Sequence, residues 1–258
     1  MHLLTGWVAF KKLIGLKPET HTFWVDGISP PCRGIKEGSG SWRALDIIYN
    51  YQFGIDTSFA GKIGDYWLRI QNAQAVRNRL KLVKRELVSA IRDIAQREKE
   101  VRLLSLASGS AQGVIEALIK TRDIDVKVTL VDLDATAIEY SQKLAARYGV
   151  SRRIKFVVGS TSRFEKICGG VRPHIIEMVG FLDYRPRNKA INLVKRIYGF
   201  LPPGGLFVTA NIIPNPERHF LLWMLNWSMI YRKPEDLRDI MVEAGFPPEE
   251  CRIVCEPL

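Results

Sequence analysis

Residues 101–113 read V-R-L-L-S-L-A-S-G-S-A-Q-G, an apolar run that stops abruptly in small residues and then turns into a helical pattern over 112–122. No other stretch restricts the fold as strongly. It describes a strand, a tight loop and a helix. In the loop, Ala107, Ser108, Gly109, Ser110 and Ala111 leave room for backbone N–H groups to approach a ligand at the helix N-terminus. A second apolar strand, 126–131, follows and ends in Asp132. An acid at the tip of the second strand is placed to hold a ribose diol.

From this unit onward the chain alternates between strand and helix patterns, which predicts an α/β fold with a doubly wound, mostly parallel sheet. Asp134 can N-cap a helix over 135–148 that Gly149 ends. Further strands are expected at 154–158, 174–179 and 206–211, the last entered through the turn Leu201-Pro202-Pro203-Gly204-Gly205. Helices are expected at 188–198, 217–229 and 234–244, with a final strand at 252–255. The region before the sheet reads differently. Residues 1–16 place Leu3, Trp7, Phe10 and Ile14 at helical spacing, 17–40 read as a loop-rich connector, and 42–53 are aromatic and helical. After a break marked by Gly61 and Gly64, a long helix is expected over 65–96, with Ile70, Ala73, Val76, Leu80, Val83, Leu87 and Ile91 every three to four residues. The division expected is an N-terminal helical cap or lid over 1–98 and a nucleotide-type domain over 99–258.

Composition narrows the class. The chain of 258 residues has no apolar run near the roughly 18 residues of a membrane span, and its start lacks the order of features of a secretory signal. Four scattered cysteines and four histidines show no metal spacing, so no metal site is expected and a reducing, cytoplasmic setting is. The formal charge of +11 suits nucleic acid, anionic lipid or an acidic small substrate, but it divides almost evenly, +6 in residues 1–100 and +5 in the rest. A solvated helix face explains the dense run around Arg77, Arg79, Lys81, Lys84 and Arg85 at least as well as a polyanion patch.

The loop lacks the glycine register of a dinucleotide site, since only Gly109 and Gly113 are glycine, and no P-loop Gly-Lys-Ser/Thr follows the strand. One nucleoside without a pyrophosphate fits better, and S-adenosylmethionine is such a ligand. The loop at 107–111 would wrap its methionine portion, Asp132 would take the ribose hydroxyls, Leu133 would lie against the adenine, and Ser160 and Thr161 would meet the adenine edge.

As a set, the alternation, the Pro202-Pro203-Gly204-Gly205 turn and the Asp132 position resemble class I S-adenosylmethionine-dependent methyltransferases over about residues 100–256. A narrower likeness rests on the 104–111 segment, on Gly180-Phe181-Leu182-Asp183-Tyr184, on Trp227-Ser228-Met229-Ile230-Tyr231-Arg232 and on Ala75-Val76-Arg77-Asn78-Arg79. These are similar to the subgroup that includes 3-hydroxy fatty acid methyl ester synthases. The resemblance implies S-adenosylmethionine as cofactor, held by Arg79, Ala107, Ser108, Gly109, Ala111, Asp132, Leu133, Ser160, Thr161 and Gly180. It also implies a small-molecule acceptor, such as a fatty-acid-like carboxylate or hydroxyl. Asp183, Tyr184 and Tyr231 are the catalytic candidates, and Phe181, Asn211, Trp227 and Arg232 the substrate candidates. Two positions and the sheet's closing edge depart from the class pattern: Ser105 replaces the first-motif acid, Ser160 replaces the third-motif acid, and room is expected for only the first strand of the closing hairpin. Two other readings stay open here, an RNA methyltransferase suggested by the charge and a non-catalytic binding protein on the same fold.

Overall fold

The computed structural model describes Phe10, Leu13, Ile14 and residues 23–257, so most of the helix expected over 1–16 lies outside the described residues. Two compact units emerge: Met1–Leu80 with Pro214–Met229 and Glu256–Leu258, and Lys81–Ile213 with Ile230–Cys255.

The first unit is helical. A π-helical turn, Phe23–Gly27, precedes α1 (Pro30–Glu37), α2 (Trp42–Asn50), α3 (Phe59–Leu68) and the start of α4 (Gln71–Ala95). Two expectations are corrected here. Pro30 and Pro31 open a helix instead of marking a connector, because proline's fixed φ and missing N–H suit the first turn. Gly61 and Gly64 lie inside α3 and do not break it. A Cβ on Gly61 would stand 2.0 Å from the Asp56 carbonyl oxygen, and one on Gly64 would stand 2.8 Å from the Tyr51 hydroxyl. Both glycines therefore serve close approach. The chain interrupts its helix later, between Leu68 and Gln71.

Residues 214–229 join this unit through a helix terminus. The Glu217 carboxylate accepts the Gln71 and Asn72 N–H groups at 3.0 and 2.8 Å, and the Asn72 side chain at 2.8 Å. An anion that satisfies the unbonded first-turn donors of α4 also complements its macrodipole. Around it pack Trp67 and Phe220, stacked 5.0 Å apart, with Leu221, Met224 and Trp227.

The second unit holds the sheet. Its strands are β1 (Val101–Leu106), β2 (Val126–Asp132), β3 (Ile154–Val158), β4 (Ile175–Val179) and β5 (Leu206–Ala210), all parallel, in the order β3-β2-β1-β4-β5. The interleaved helices are α5 (Gln112–Lys120), α6 (Ala135–Arg147), the single turn α7 (Phe164–Ile167), α8 (Arg187–Phe200) and, after α9 (Arg218–Met224) of the first unit, α10 (Pro234–Glu243). Alternate strand residues serve opposite faces. Val101, Leu103 and Ile175 join a core with Leu87, Ile91, Ile115 and Leu118, while Leu104, Leu106, Ile176 and Met178 join another with Val194, Ile197 and Ile240. Burial on both faces is why these strands read as continuous apolar runs. Asp134 caps α6, accepting the Thr136 N–H at 2.8 Å.

Two further expectations fail. Residues 225–233 are not helical, and Asn226 has a φ of 52°. Residues 252–255 form no strand, so the described sheet keeps five strands with β5 at its edge. Among the described residues no helix is long and apolar enough to cross a membrane.

Candidate functional site

The strand order reverses direction between β1 and β4, and in an open parallel sheet the crevice at the strand C-terminal ends beside such a reversal is where ligands bind. The loop leaving β1 has unusual backbone there. Ala107 and Ala111 each have a φ of 52° and Gly109 one of 54°, so three residues in five are left-handed. For alanine that conformation costs roughly 1–2 kcal/mol, and such outliers gather where surrounding structure holds a ligand-facing turn in place. The loop is held from both sides. The Ser108 N–H donates to the Val131 carbonyl at 3.1 Å, and the Ala111 N–H closes a turn onto the Ser108 carbonyl at 2.8 Å.

Asp132 fixes the loop to the tip of β2. One carboxylate oxygen accepts the Gly109 N–H at 2.8 Å, and the other accepts the Asp134 N–H at 2.9 Å. Each oxygen retains acceptor capacity beyond one bond. Ala111 precedes α5 without capping it by a side chain, which leaves the first-turn N–H groups of α5 without a side-chain acceptor at that position. The Ser108 hydroxyl is buried and has no hydrogen-bond partner within the protein. A buried hydroxyl in that condition marks a place where a ligand or a water completes the structure. Leu133, next to Asp132, is 75% exposed, an apolar surface at the same edge.

The remaining donor candidates are dispersed. Ser160 caps the turn Thr161–Arg163 by accepting the Ser162 N–H at 3.2 Å, which places Thr161 in that turn. Gly180 leaves β4 at a φ of 78°, a conformation that suits glycine. Arg79 lies on α4 in the first unit, partly buried. Among the described residues no group of His, Cys, Asp and Glu is arranged to hold a metal ion.

The acceptor candidates divide in two. Asp183, Asn211 and Arg232 meet in a tight polar clasp at the C-terminal ends of β4 and β5. Arg232 donates to the Leu182 carbonyl at 2.7 Å, to the Asn211 side-chain oxygen at 2.6 Å and to the Arg185 carbonyl. The Asp183 carboxylate accepts the Ile212 N–H at 3.0 Å, and Asn211 donates to the Ile230 carbonyl at 2.9 Å. Asp183 and Arg232 are 2% and 6% exposed. Burial lowers the Arg232 pKa from its ordinary value, and the Asp183 charge opposes that shift. Phe181 stacks under the Arg185 guanidinium at 4.4 Å, and Tyr184 is exposed in the turn Leu182–Tyr184. Tyr231 is partly buried, and Trp227 is packed in the core of the first unit, as its apolar bulk predicts.

Sequence reasoning passed over Glu177. This acid in the middle of β4 is 8% exposed and stands opposite Ser105 in the β1–β4 register. It accepts the Ser105 hydroxyl at 2.5 Å and the Val179 N–H at 3.0 Å. The signal was present in I-I-E-M-V: one acid in an apolar run of a parallel strand has no solvent face to occupy.

Residues 11–253 match the model of the family described as "Putative methyltransferase". The chain belongs to this methyltransferase family. Among solved structures, this methyltransferase resembles a "possible exported protein" of Bordetella parapertussis with a TM-score of 0.66 at 16% identity, covering 84% of this chain and 80% of the other. A Nostoc punctiforme protein named as a putative O-methyltransferase aligns with a TM-score of 0.51 at 17% identity, covering 87% of this chain. The S-adenosylmethionine-dependent methyltransferase SibL in its apo form aligns at 0.52 and 13% identity, covering 84% of this chain. The chain spans 65% and 62% of the length of those last two. At these identities the likeness is one of fold, and family and fold together are those of class I S-adenosylmethionine-dependent methyltransferases. Comparison with curated proteins gives no match.

Proposed function

We propose that this enzyme transfers a methyl group from S-adenosylmethionine to an oxygen of a small, fatty-acid-like acceptor, a carboxylate or a hydroxyl. The observation that carries the donor half is the 107–111 loop, with two left-handed alanines, an unpartnered buried Ser108 hydroxyl and a carboxylate tie to Asp132. These residues fit a nucleoside bearing an amino-acid tail. Asp132 would take the ribose hydroxyls, Leu133 the adenine face, Ser160 and Thr161 its edge, and the loop N–H groups and Ser108 the methionine end. When bound, the cofactor supplies an electrophilic methyl carbon on a sulfonium. The protein's part is then to align the acceptor oxygen with that carbon and to keep water out.

A carboxylate acceptor arrives ionised and needs no base. That suits a crevice at whose β4–β5 side the acid Asp183 is buried and bonded to backbone. In this reading Asp183, Asn211 and Arg232 brace the loops after β4 and β5, and Phe181, Tyr184 and Tyr231 are left to meet the acceptor. The likeness to the 3-hydroxy fatty acid methyl ester synthases supports the acceptor class, and an O-methyltransferase name on a fold neighbour is compatible with it. Residues 99–258, apart from the 214–229 segment that packs with the first unit, would form the donor domain and 1–98, apart from the part of α4 after Leu80, an accessory helical region. Four thiols outside any disulfide suit a reducing compartment, and the cytoplasm is our assignment.

Calorimetric titration with S-adenosylmethionine and S-adenosylhomocysteine tests the donor half, using wild type and Asp132→Asn. Asp132→Asn is expected to weaken both ligands about 10- to 100-fold, the worth of a charge-assisted hydrogen bond or two, while the thermal midpoint falls only slightly, since one of the Gly109 and Asp134 N–H groups keeps its acceptor. Absence of binding by the wild-type protein would remove the methyltransferase mechanism. Mass spectrometry of 3-hydroxy fatty acids incubated with enzyme and donor tests the acceptor half, and methylation of RNA in their place would overturn it.

A further inference from the structure

We propose that Arg185 is the group that recognises the acceptor's carboxylate, an assignment that rests on the acceptor reading above and narrows it to an acid. The segment Gly180-Phe181-Leu182-Asp183-Tyr184-Arg185-Pro186 leaves β4 at its crevice end and leads into α8. The tight turn Leu182–Tyr184 folds Arg185 back over Phe181, and the guanidinium lies 4.4 Å from the ring centroid. Phe181 packs against the core that holds Leu104, Leu106 and Met178, so the platform under the cation is anchored. The backbone of Arg185 is fixed as well. Its N–H donates to the Leu182 carbonyl at 3.0 Å, its carbonyl accepts from Arg232, and the proline that follows keeps it extended, at φ −113° and ψ 122°.

Its neighbours use their charge differently. Arg187 pairs with Glu243, and Arg232 is taken up by the Leu182 and Arg185 carbonyls and by Asn211. Among the described residues no carboxylate, carbonyl or hydroxyl accepts from the Arg185 guanidinium. Stacking occupies the flat face of a guanidinium and leaves its five N–H bonds, which lie in the plane, directed outward. The outcome is a partly buried cation held in position before any ligand arrives, with a fork that matches the two oxygens of a carboxylate. An arginine held this way loses less rotamer freedom on binding than one that swings in solvent. A carboxylate gripped by the fork keeps further lone pairs for the methyl carbon. The methyl ester is neutral and offers the fork no charge, so the same contact favours acid over product.

The test pairs a ligand charge with a residue. Wild type, Arg185→Met and Arg185→Lys are titrated calorimetrically with 3-hydroxydecanoate and with 3-hydroxydecanamide, its neutral isostere, in the presence of S-adenosylhomocysteine. Wild type is expected to prefer the acid about 10- to 100-fold. Arg185→Met should bind the two nearly alike, through loss of acid affinity alone. Arg185→Lys keeps the charge without the fork and should fall between them. A preference in Arg185→Met equal to that of wild type would overturn the assignment. So would equal loss for both compounds, which marks a disturbed loop and not a missing charge. Should Arg185→Met fail to fold, Arg185→Gln, with a polar end and no charge, is read by the same ratio. A wild type that binds both compounds equally well overturns the assignment with no variant needed. If wild type binds neither, the acceptor reading itself fails and takes the assignment with it.

Discussion

Two polar clusters stand at the C-terminal ends of the same sheet, and they are finished to different degrees. At β4 and β5, every polar group named in the clasp faces another: Arg232 meets two carbonyls and Asn211, Asp183 meets a backbone N–H, and Asn211 meets a carbonyl. At β1 and β2, the loop is strained, the Ser108 hydroxyl has no partner and Asp132 keeps acceptor capacity. Residue type does not separate the two, since both hold an acid at a strand end. The degree of internal satisfaction does. A cluster that completes itself stabilises the fold, and one that remains incomplete leaves polar groups for a ligand or a water to satisfy.

The sharpest way to break this contrast is Arg232→Met. Removing the guanidinium leaves two buried carbonyls and the Asn211 oxygen without their donor, and the expected loss is about 3–5 kcal/mol in urea-induced unfolding. Asp132→Asn keeps one of the two backbone bonds and turns an NH2 toward the other N–H, so it is expected to lose about 1–2 kcal/mol, well short of Arg232→Met, together with donor affinity. Should Arg232→Met keep its stability and instead lose affinity for a fatty-acid acceptor, Arg232 faces substrate and the two clusters are alike.

That contrast also explains what could be read in advance. The β1 loop, the Asp132 tip and the Asp134 cap were legible because short-range rules govern them: small residues allow close approach, an acid ends a strand, a carboxylate caps a helix. The five strands were legible for the same reason, each an apolar run with turn signals at its ends. The role of Arg232 was not legible, because its partners lie 47 to 50 residues upstream at Leu182 and Arg185 and 21 upstream at Asn211. Neither was that of Arg153, which donates to the carbonyls of Leu118, Thr121, Ile124 and Val126. Two of the cations behind the +11 charge thus act on backbone carbonyls, which weakens charge alone as an argument for nucleic acid. Gly61 and Gly64 misled in the opposite direction. Their meaning depends on Asp56 and Tyr51 packing against α3, which no helix pattern reveals.

A gentler change sharpens the contrast from the incomplete side. Ala107→Gly relieves a left-handed alanine and is expected to raise stability by about 1 kcal/mol, less the added entropy of the unfolded chain. Ala107 is preferred over Ala111 because the Ala111 methyl is buried in the core. If strain holds the loop in its ligand-ready shape, the same variant should bind S-adenosylhomocysteine a few-fold more weakly. A gain in stability with unchanged affinity would show that the strain serves the backbone turn alone.

The smallest effect is expected at the other end of β4, where a complete cluster lies far from the crevice. His174 accepts the Arg102 N–H at Nδ1 at 3.1 Å, and its backbone joins Arg102 and Leu206 at 2.8 Å each. Burial pulls its pKa below the ordinary 6.5, the Arg102 and Arg97 charges act in the same direction, and Glu98 and Glu100 oppose them. A base whose folded pKa is depressed favours the folded state while neutral. Its contribution is therefore intact above 6.5, begins to fade as pH falls below that value, and is gone once pH passes the lowered folded pKa. His174→Asn offers an oxygen to the same N–H and cannot take up a proton. Urea midpoints followed from pH 7.5 to 5 should fall less steeply for the variant than for wild type, with near-equal stability at the upper end. Identical acid limbs would mean that protonation at His174 is tolerated, and that the N-terminal end of the sheet is less complete than its hydrogen bonds suggest.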